Sequence, residues 1–371
     1  MTDTGIYAII GCGMMGREHM RNLALVPGAE LVAVADLDAG SRAQAKDQAK
    51  ALGQTIRCYN DSSEMLAEVH PDAVIIASPN FTHFDVVQPV MQSGAAVLLE
   101  KPMCTKVEDA QALASAARDY DNLFWVGLEY RYMPPVTRFI ERVHGGEAGA
   151  LKMLSIREHR FPFLEKVDDW NRFNRNTGGT LVEKCCHFFD LMRHILRDEP
   201  VRVFASGAQD VNHLDELYDG ETPDIIDNAF VMVDFAGGAR AVLDLCMFAE
   251  GSEQQEEISA VGPVGKLEVK LPRGEVTWSP RAGQVGPDGQ RLPTWSAPQI
   301  ETVTTPEDAL AAGSHHGATY FQQLDFHAAL VNGTPPLIDA RDGYRSVLMG
   351  AAAQESIATG QPVDIRFTDE E

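Results

Sequence analysis

One local feature constrains this chain more than any other: a short apolar run, residues 6–10, leads directly into Gly11-Cys12-Gly13-Met14-Met15-Gly16 and then into a helical stretch. The G-x-G-x-x-G spacing has a mechanical meaning only in that setting. The first glycine permits a tight turn out of a strand, the second lets the backbone approach a pyrophosphate, and the third lets the helix pack on the strand, with the helix N-terminus facing negative charge. Four more apolar runs follow at 31–35, 73–77, 95–99 and 123–126, separated by stretches of helical length such as 39–52 and 82–93. Runs apolar on both faces read as buried parallel strands, and their alternation with helices reads as a doubly wound α/β sheet. Residues 1–126 are therefore expected to form a dinucleotide-binding domain.

Asp36 closes the second run twenty residues after Gly16. A carboxylate there can accept both ribose hydroxyls and would repel a 2′-phosphate, which favours NAD over NADP. The competing reading is a glycine turn in an unrelated α/β protein, with Asp36 capping the next helix.

The texture changes after residue 127. Runs at 201–208, 229–235, 239–247, 257–261 and 266–271 follow one another through Gly-rich turns, which predicts a mainly antiparallel open sheet in an α+β second domain, 127–371. Helical stretches at 178–196, 318–331 and 342–359 accompany it, and 279–313, rich in Pro, Gly and Thr, reads as an irregular excursion. At 371 residues the chain is long enough for two cores. Its net charge of −23 repels phosphate backbones and anionic lipid surfaces, so nucleic acid and membranes are not expected partners. No apolar stretch is long enough to span a bilayer, the start lacks a leader pattern, and six scattered cysteines include no Cys-x-x-Cys pair; a cytoplasmic protein with reduced thiols is expected.

Two further clusters fall where open α/β sheets bind ligands, beyond the C-terminal ends of strands. One is Ser78-Pro79-Asn80-Phe81-Thr82-His83; the other is Glu100-Lys101-Pro102. A lysine at that edge lies beside the cofactor, where an oxidised nicotinamide's charge and partial burial would lower its pKa and suit it to sharing a proton. The bland alternative is a solvated lysine before a proline. Farther on, Glu183, His187 and Asp190 stand at i, i+4 and i+7 after Gly178-Gly179, so a carboxylate one turn away could fix the tautomer of an imidazole that accepts a proton from an alcohol. A structural ion pair and a metal site compete with that reading. Spacing places no fourth metal ligand, and Cys185-Cys186 leave the Glu183–His187 stripe, so no metal is expected.

Taken together, G-x-G-x-x-G, Ser-Pro-Asn-x-x-His, Glu-Lys-Pro and the Gly-Gly then carboxylate-x-x-x-His-x-x-Asp stretch resemble the Gfo/Idh/MocA oxidoreductase family, as do Ile226-Asp227-Asn228 and the segments around Phe326, Asp342-Gly343 and Ser356. The resemblance implies a Rossmann domain, a second domain whose open sheet often serves oligomerisation, and NAD(P)-linked redox chemistry on sugar or polyol carbons. It also implies a homo-oligomer, dimer or tetramer. Its lysine falls on Lys101 and its histidine on His187; the carboxylate one turn earlier, usually aspartate in the inositol dehydrogenases, is Glu183. Cofactor contacts would come from Gly11 to Gly16, Asp36, Ser78, Pro79, Asn80, His83, Glu100 and Lys101. Substrate contacts would come from Lys101, Arg131, Trp170, Arg172, Glu183 and His187. The expected activity is oxidation of a secondary hydroxyl on a cyclic polyol, sugar or glycoside. A redox-assisted glycoside-modifying enzyme that retains NAD and a non-catalytic NAD(H) sensor are the alternatives, and the sensor has no need of Lys101 together with His187.

Overall fold

The computed structural model describes residues 4–286, 288–291 and 297–367. The first sheet contains β1 (Gly5–Ile10), β2 (Ala29–Ala35), β3 (Arg57–Tyr59), β4 (Ala73–Ile76), β5 (Ala96–Leu99) and β6 (Phe124–Val126), all parallel, in the spatial order β3-β2-β1-β4-β5-β6. Ile9, Val34, Ile75, Ile76, Val97 and Leu98 are wholly buried, as strands covered on both faces must be. The strand order reverses between β1 and β4. Ligands of such sheets lie outside the carboxyl ends at that reversal, and the two loops there are Gly11–Gly13 and Ser78–Asn80. The short edge strand β3 was not anticipated; three residues with two of them exposed leave no apolar run to read.

The second sheet has nine strands: β7 (Met153–His159), β8 (Pro200–Ala208), β9 (Asn228–Phe235), β10 (Arg240–Cys246), β11 (Glu256–Val261), β12 (Gly265–Leu271), β13 (Glu275–Pro280), β14 (Gln299–Thr302) and β15 (Val363–Asp364). Their order is β14-β13-β12-β11-β7-β10-β9-β8-β15, antiparallel except for the β7–β10 pair. Sequence reasoning missed β7 although it lies at the middle. Its inward positions are Leu154, Ile156 and Glu158, and the buried glutamate interrupts the alternation that marks a strand. The excursion at 279–313 contains the end of β13, β14 and a short helix, Glu307–Ala312; residues 287 and 292–296 lie outside the described part.

Two apolar cores result. The second lies between the nine-stranded sheet and the helices Pro134–His144 and Cys186–Leu196. The first belongs to the parallel sheet, but Phe326, Ala329, Tyr344 and Val347, from the helices Ala318–Asn332 and Ala340–Thr359, are part of it. The end of the chain thus returns to the first domain and clamps it to the second. Among the described residues no helix is long and apolar enough to cross a membrane.

Candidate active site

The nucleotide cradle follows from its glycines. Gly11 has φ +93°, a left-handed conformation costly for residues with a Cβ, and a Cβ there would lie 2.4 Å from the Ala77 and Ser78 backbone. A Cβ on Gly16 would lie 1.9 Å from the Gly11 oxygen, so this glycine lets the Met14–Leu23 helix sit against the turn. At Gly13, the N-cap, a Cβ would meet nothing within 4 Å; the backbone there is open to an incoming pyrophosphate. Asp36 Oδ2 accepts from the Cys12 N–H at 2.6 Å and Oδ1 from the Asp38 N–H at 2.8 Å, which holds the carboxylate against the turn. Asn80 contributes a buried side-chain N–H group with no partner. An open backbone, an orphaned amide donor and a ribose-ready carboxylate all fit a dinucleotide.

Other expected cofactor residues are fully engaged within the protein. His83 is buried, its two ring nitrogens 2.9 and 3.0 Å from the carbonyl oxygens of Pro102 and Ser78, so it ties the loops after β4 and β5 together instead of facing a ligand. Glu100 is buried against His19, 2.7 Å away, and accepts from the Lys101 N–H. Cys12 is wholly buried, leaving only its main chain as a contact; Met14, Met15, Ser78 and Pro79 stay on the rim.

The helical stretch expected over 178–196 is two helices. Gly179, at φ +89°, turns the chain into Thr180–Glu183, and a break at Lys184–Cys185 precedes Cys186–Leu196. The Glu183 carbonyl accepts from the Cys186 thiol, and no hydrogen bond joins Glu183 to His187 among the described residues. A hydrogen bond by which Glu183 would support His187 is therefore absent among the described residues. Glu183 Oε2 and His187 Nδ1 are both buried without partners, which marks a site awaiting a polar ligand. What holds His187 is Tyr130: the rings stack at 3.9 Å with 8° between planes. Asp190, the third residue of the expected face, turns to Arg131.

Arg131, partly exposed, is engaged by carboxylates of the protein itself. Its Nε donates to Asp190 Oδ2 at 2.6 Å and its Nη2 to Asp342 Oδ2 at 2.9 Å, an internal ion-pair network. Arg172 is buried, donating to Glu216 at 2.8 Å. Trp170 meets Phe81 edge-on, 6.1 Å between ring centroids, joining the second domain to the loop after β4. The vicinal cysteines divide between the two cores, Cys186 in the first and Cys185 in the second.

The charges around His187 explain its state. Burial, then the cations Lys101, Lys184, His315 and Arg160, push its pKa well below the ordinary histidine value, so the ring is neutral and able to accept a proton. Burial raises the Glu183 pKa, against the pull of Lys101, Lys166, Arg172 and Lys184. Lys101 departs from expectation: burial lowers its pKa, but the Cys186 thiol and the carboxylates of Glu100, Glu183 and Glu129 outweigh it and leave the ammonium above the usual lysine value. The protein alone thus favours a charged donor at Lys101. Lys166, which sequence reasoning missed, is pushed down by burial and by Lys101, while Glu183 opposes this; its ammonium has no hydrogen bond or ion pair among the described residues. No spacing signal pointed to Lys166, because its loop comes to the site only through the fold.

Comparison with known proteins agrees with this layout. Residues 6–128 match the family model described as an oxidoreductase family NAD-binding Rossmann fold, and residues 140–365 match its C-terminal alpha/beta domain. The chain is 25% identical to the myo-inositol 2-dehydrogenase of Thermotoga maritima, covering 96% of this chain and 97% of that one. It is 29% identical to the rhizopine catabolism protein MocA of Rhizobium meliloti, covering 94% of each. A levoglucosan dehydrogenase solved with NADH superposes with a TM-score of 0.83 at 21% identity, over 97% of this chain and 98% of that one. Because both halves match in order and together span most of the sequence, this chain belongs to the Gfo/Idh/MocA family of NAD-binding oxidoreductases.

Proposed function

We propose that this oxidoreductase oxidises a secondary hydroxyl of a cyclic polyol, sugar or glycoside, with NAD as hydride acceptor. The observation that carries the reading is the buried, neutral, unpartnered imidazole of His187 facing the same space as Lys101 and the orphaned carboxylate oxygen of Glu183. His187 takes the hydroxyl proton, and Lys101 donates a hydrogen bond to the alkoxide oxygen as charge develops there. Glu183 and Lys166 are left to bind neighbouring hydroxyls. Bound NAD supplies the hydride acceptor, held at Gly11–Gly16, Asp36 and Asn80. Relatives named as a myo-inositol 2-dehydrogenase and a scyllo-inositol 2-dehydrogenase support a cyclic polyol over an open-chain alcohol.

The test is a panel of inositols, aldoses and glycosides assayed for NADH formation. Turnover of a cyclic polyol or sugar is expected; NADH formation from none of them, with cofactor retained through desalting, would point to the glycoside-modifying alternative. In the division of labour we propose, residues 1–126 hold cofactor and 127–371 hold substrate. A cytoplasmic homo-oligomer belongs to the same reading. Its support is the exposed outer face of the nine-stranded sheet, where Phe204 and Met232 are register partners and Phe230 is 64% exposed. Light scattering that gives a monomer mass would remove that part.

Asp36 sets the choice of dinucleotide. Asp36→Ala is expected to raise KM for NAD by about tenfold, the worth of roughly one charge-assisted hydrogen bond, and to improve use of NADP because the repelling carboxylate is gone. Equal use of both cofactors by the unaltered protein would contradict this assignment.

A further inference from the structure

We propose that Tyr130 is the positioning residue for His187, and that the Lys184–Glu158 ion pair holds Tyr130 in place. The proposal rests on the reading of His187 as proton acceptor, and supplies the support that Glu183 does not give.

The geometry is specific. The Tyr130 ring lies parallel to the His187 imidazole at 3.9 Å, while Phe188 meets Tyr130 edge-on at 5.7 Å, so the tyrosine is confined on one face by the ring it orients and at its edge by another. Its hydroxyl accepts a hydrogen bond from the Lys184 ammonium, which also lies 2.8 Å from Glu158 Oε1. Tyr130, Lys184, Glu158 and His187 are all buried. Glu158 comes from β7, the strand at the middle of the second sheet, so an ion pair and a hydrogen bond run from that central strand to the Tyr130 hydroxyl, and the ring stack carries the contact on to the imidazole. An imidazole whose ring makes no hydrogen bond among the described residues would otherwise be free to rotate about its side-chain torsions, and orientation of a proton acceptor is worth large factors in rate.

Lys184 also sits in the field that His187 feels. The groups facing His187 are Lys101 after β5, Arg160 after β7, His315 ahead of the Ala318–Asn332 helix, Tyr130 after β6, and Lys184 and Cys186 on its own segment. The groups facing Lys184 are Glu158, Glu256, Arg160 and Tyr130. Glu256 stands opposite Glu158 in the β7–β11 register, and burial together with that neighbour pushes it up to about 7. Lys184 and Arg160 are the cations beside these carboxylates, and Lys184 is the one that donates to the tyrosine hydroxyl.

The test is made on full-length protein with labelled histidine, by NMR and by kinetics on the polyol or sugar identified in the substrate panel. The wild-type His187 ring protons are expected to carry an upfield ring-current shift that Tyr130→Phe keeps and Tyr130→Leu loses. Tyr130→Leu is expected to lower kcat by about tenfold to a hundredfold with KM nearly unchanged, the pattern of lost orientation. Lys184→Met removes a cation from the field of His187, so its titration midpoint, and with it the acid limb of kcat/KM, should move up by about one pH unit. Where Lys184→Met fails to fold because buried Glu158 is left with Arg160, 3.2 Å away, as its one remaining ion-pair partner among the described residues, Lys184→Met/Glu158→Gln gives a smaller shift of the same sign. Wild-type kcat in Tyr130→Leu, or an unmoved His187 midpoint in the lysine variants, overturns the proposal. Full turnover in His187→Ala would instead overturn the reading it rests on.

Discussion

His187→Ala and Lys101→Met are each expected to lose about a hundredfold to ten-thousandfold in kcat, the range general acid-base groups contribute, while still binding NADH and keeping the native circular dichroism. Neither change is expected to unfold the protein. The Lys101 ammonium has no hydrogen bond or ion pair among the described residues, and the unpartnered His187 Nδ1 shows that the imidazole is not spent on holding the fold. The pH dependence adds a signed check. The His187 pKa lies well below 6.5 in the folded protein, so the base is ready throughout the neutral range, and kcat/KM should fall only on the acid side, below the ordinary histidine value. Lys101 is one of the cations that depress it, so the residual activity of Lys101→Met should show its acid limb at higher pH than wild type. A variant of either residue that turns over near the normal rate would remove both assignments. An acid limb at or above 6.5 in the unaltered enzyme would place the base elsewhere.

The parallel sheet was legible because each of its longer strands is a continuous apolar run and its cofactor turn is punctuated by glycines whose spacing has a mechanical cause. Five of the second sheet's strands were legible from alternation and turns; β13, β14 and the two-residue β15 were not anticipated, and β7 was hidden by Glu158, the buried carboxylate that holds Lys184. Lys101 and His187 were singled out from strand ends and helical spacing. What spacing could not supply was the outcome of competition between partners. Arg131 sits in a segment that appeared to line the cleft, yet Asp190 and Asp342 come from 59 and 211 residues away to engage it, and its neighbour Tyr130 is the residue that reaches His187. His83 and Glu100 turn their side chains inward, His83 to tie the loops after β4 and β5 together and Glu100 to meet His19 on the Met14–Leu23 helix. Helical i, i+4 spacing likewise presumed a continuous helix, and the break at Lys184–Cys185 separates Glu183 from the imidazole it was expected to support.

That break reassigns Glu183 and gives the second large effect. Glu183→Gln is expected to raise KM for the polyol or sugar by about tenfold to a hundredfold with kcat little changed, because a buried carboxylate that accepts from a substrate hydroxyl contributes about 1.5–3 kcal/mol equally in ground and transition states. The carboxylate is already desolvated and one of its oxygens has no protein partner, so substrate meets an acceptor that has nothing else to bond. Glu183→Asp keeps the charge but draws it back by one methylene, and should raise KM less than Glu183→Gln does. A separate trace distinguishes this role from support of the base. Glu183 is one of the groups that raise the Lys101 pKa, so neutralising it should move the alkaline limb of kcat to lower pH and leave the acid limb, set by His187, in place. If Glu183→Gln instead lowers kcat at constant KM and shifts the acid limb, substrate binding must draw Glu183 across the gap to His187, and the carboxylate supports the proton acceptor after all.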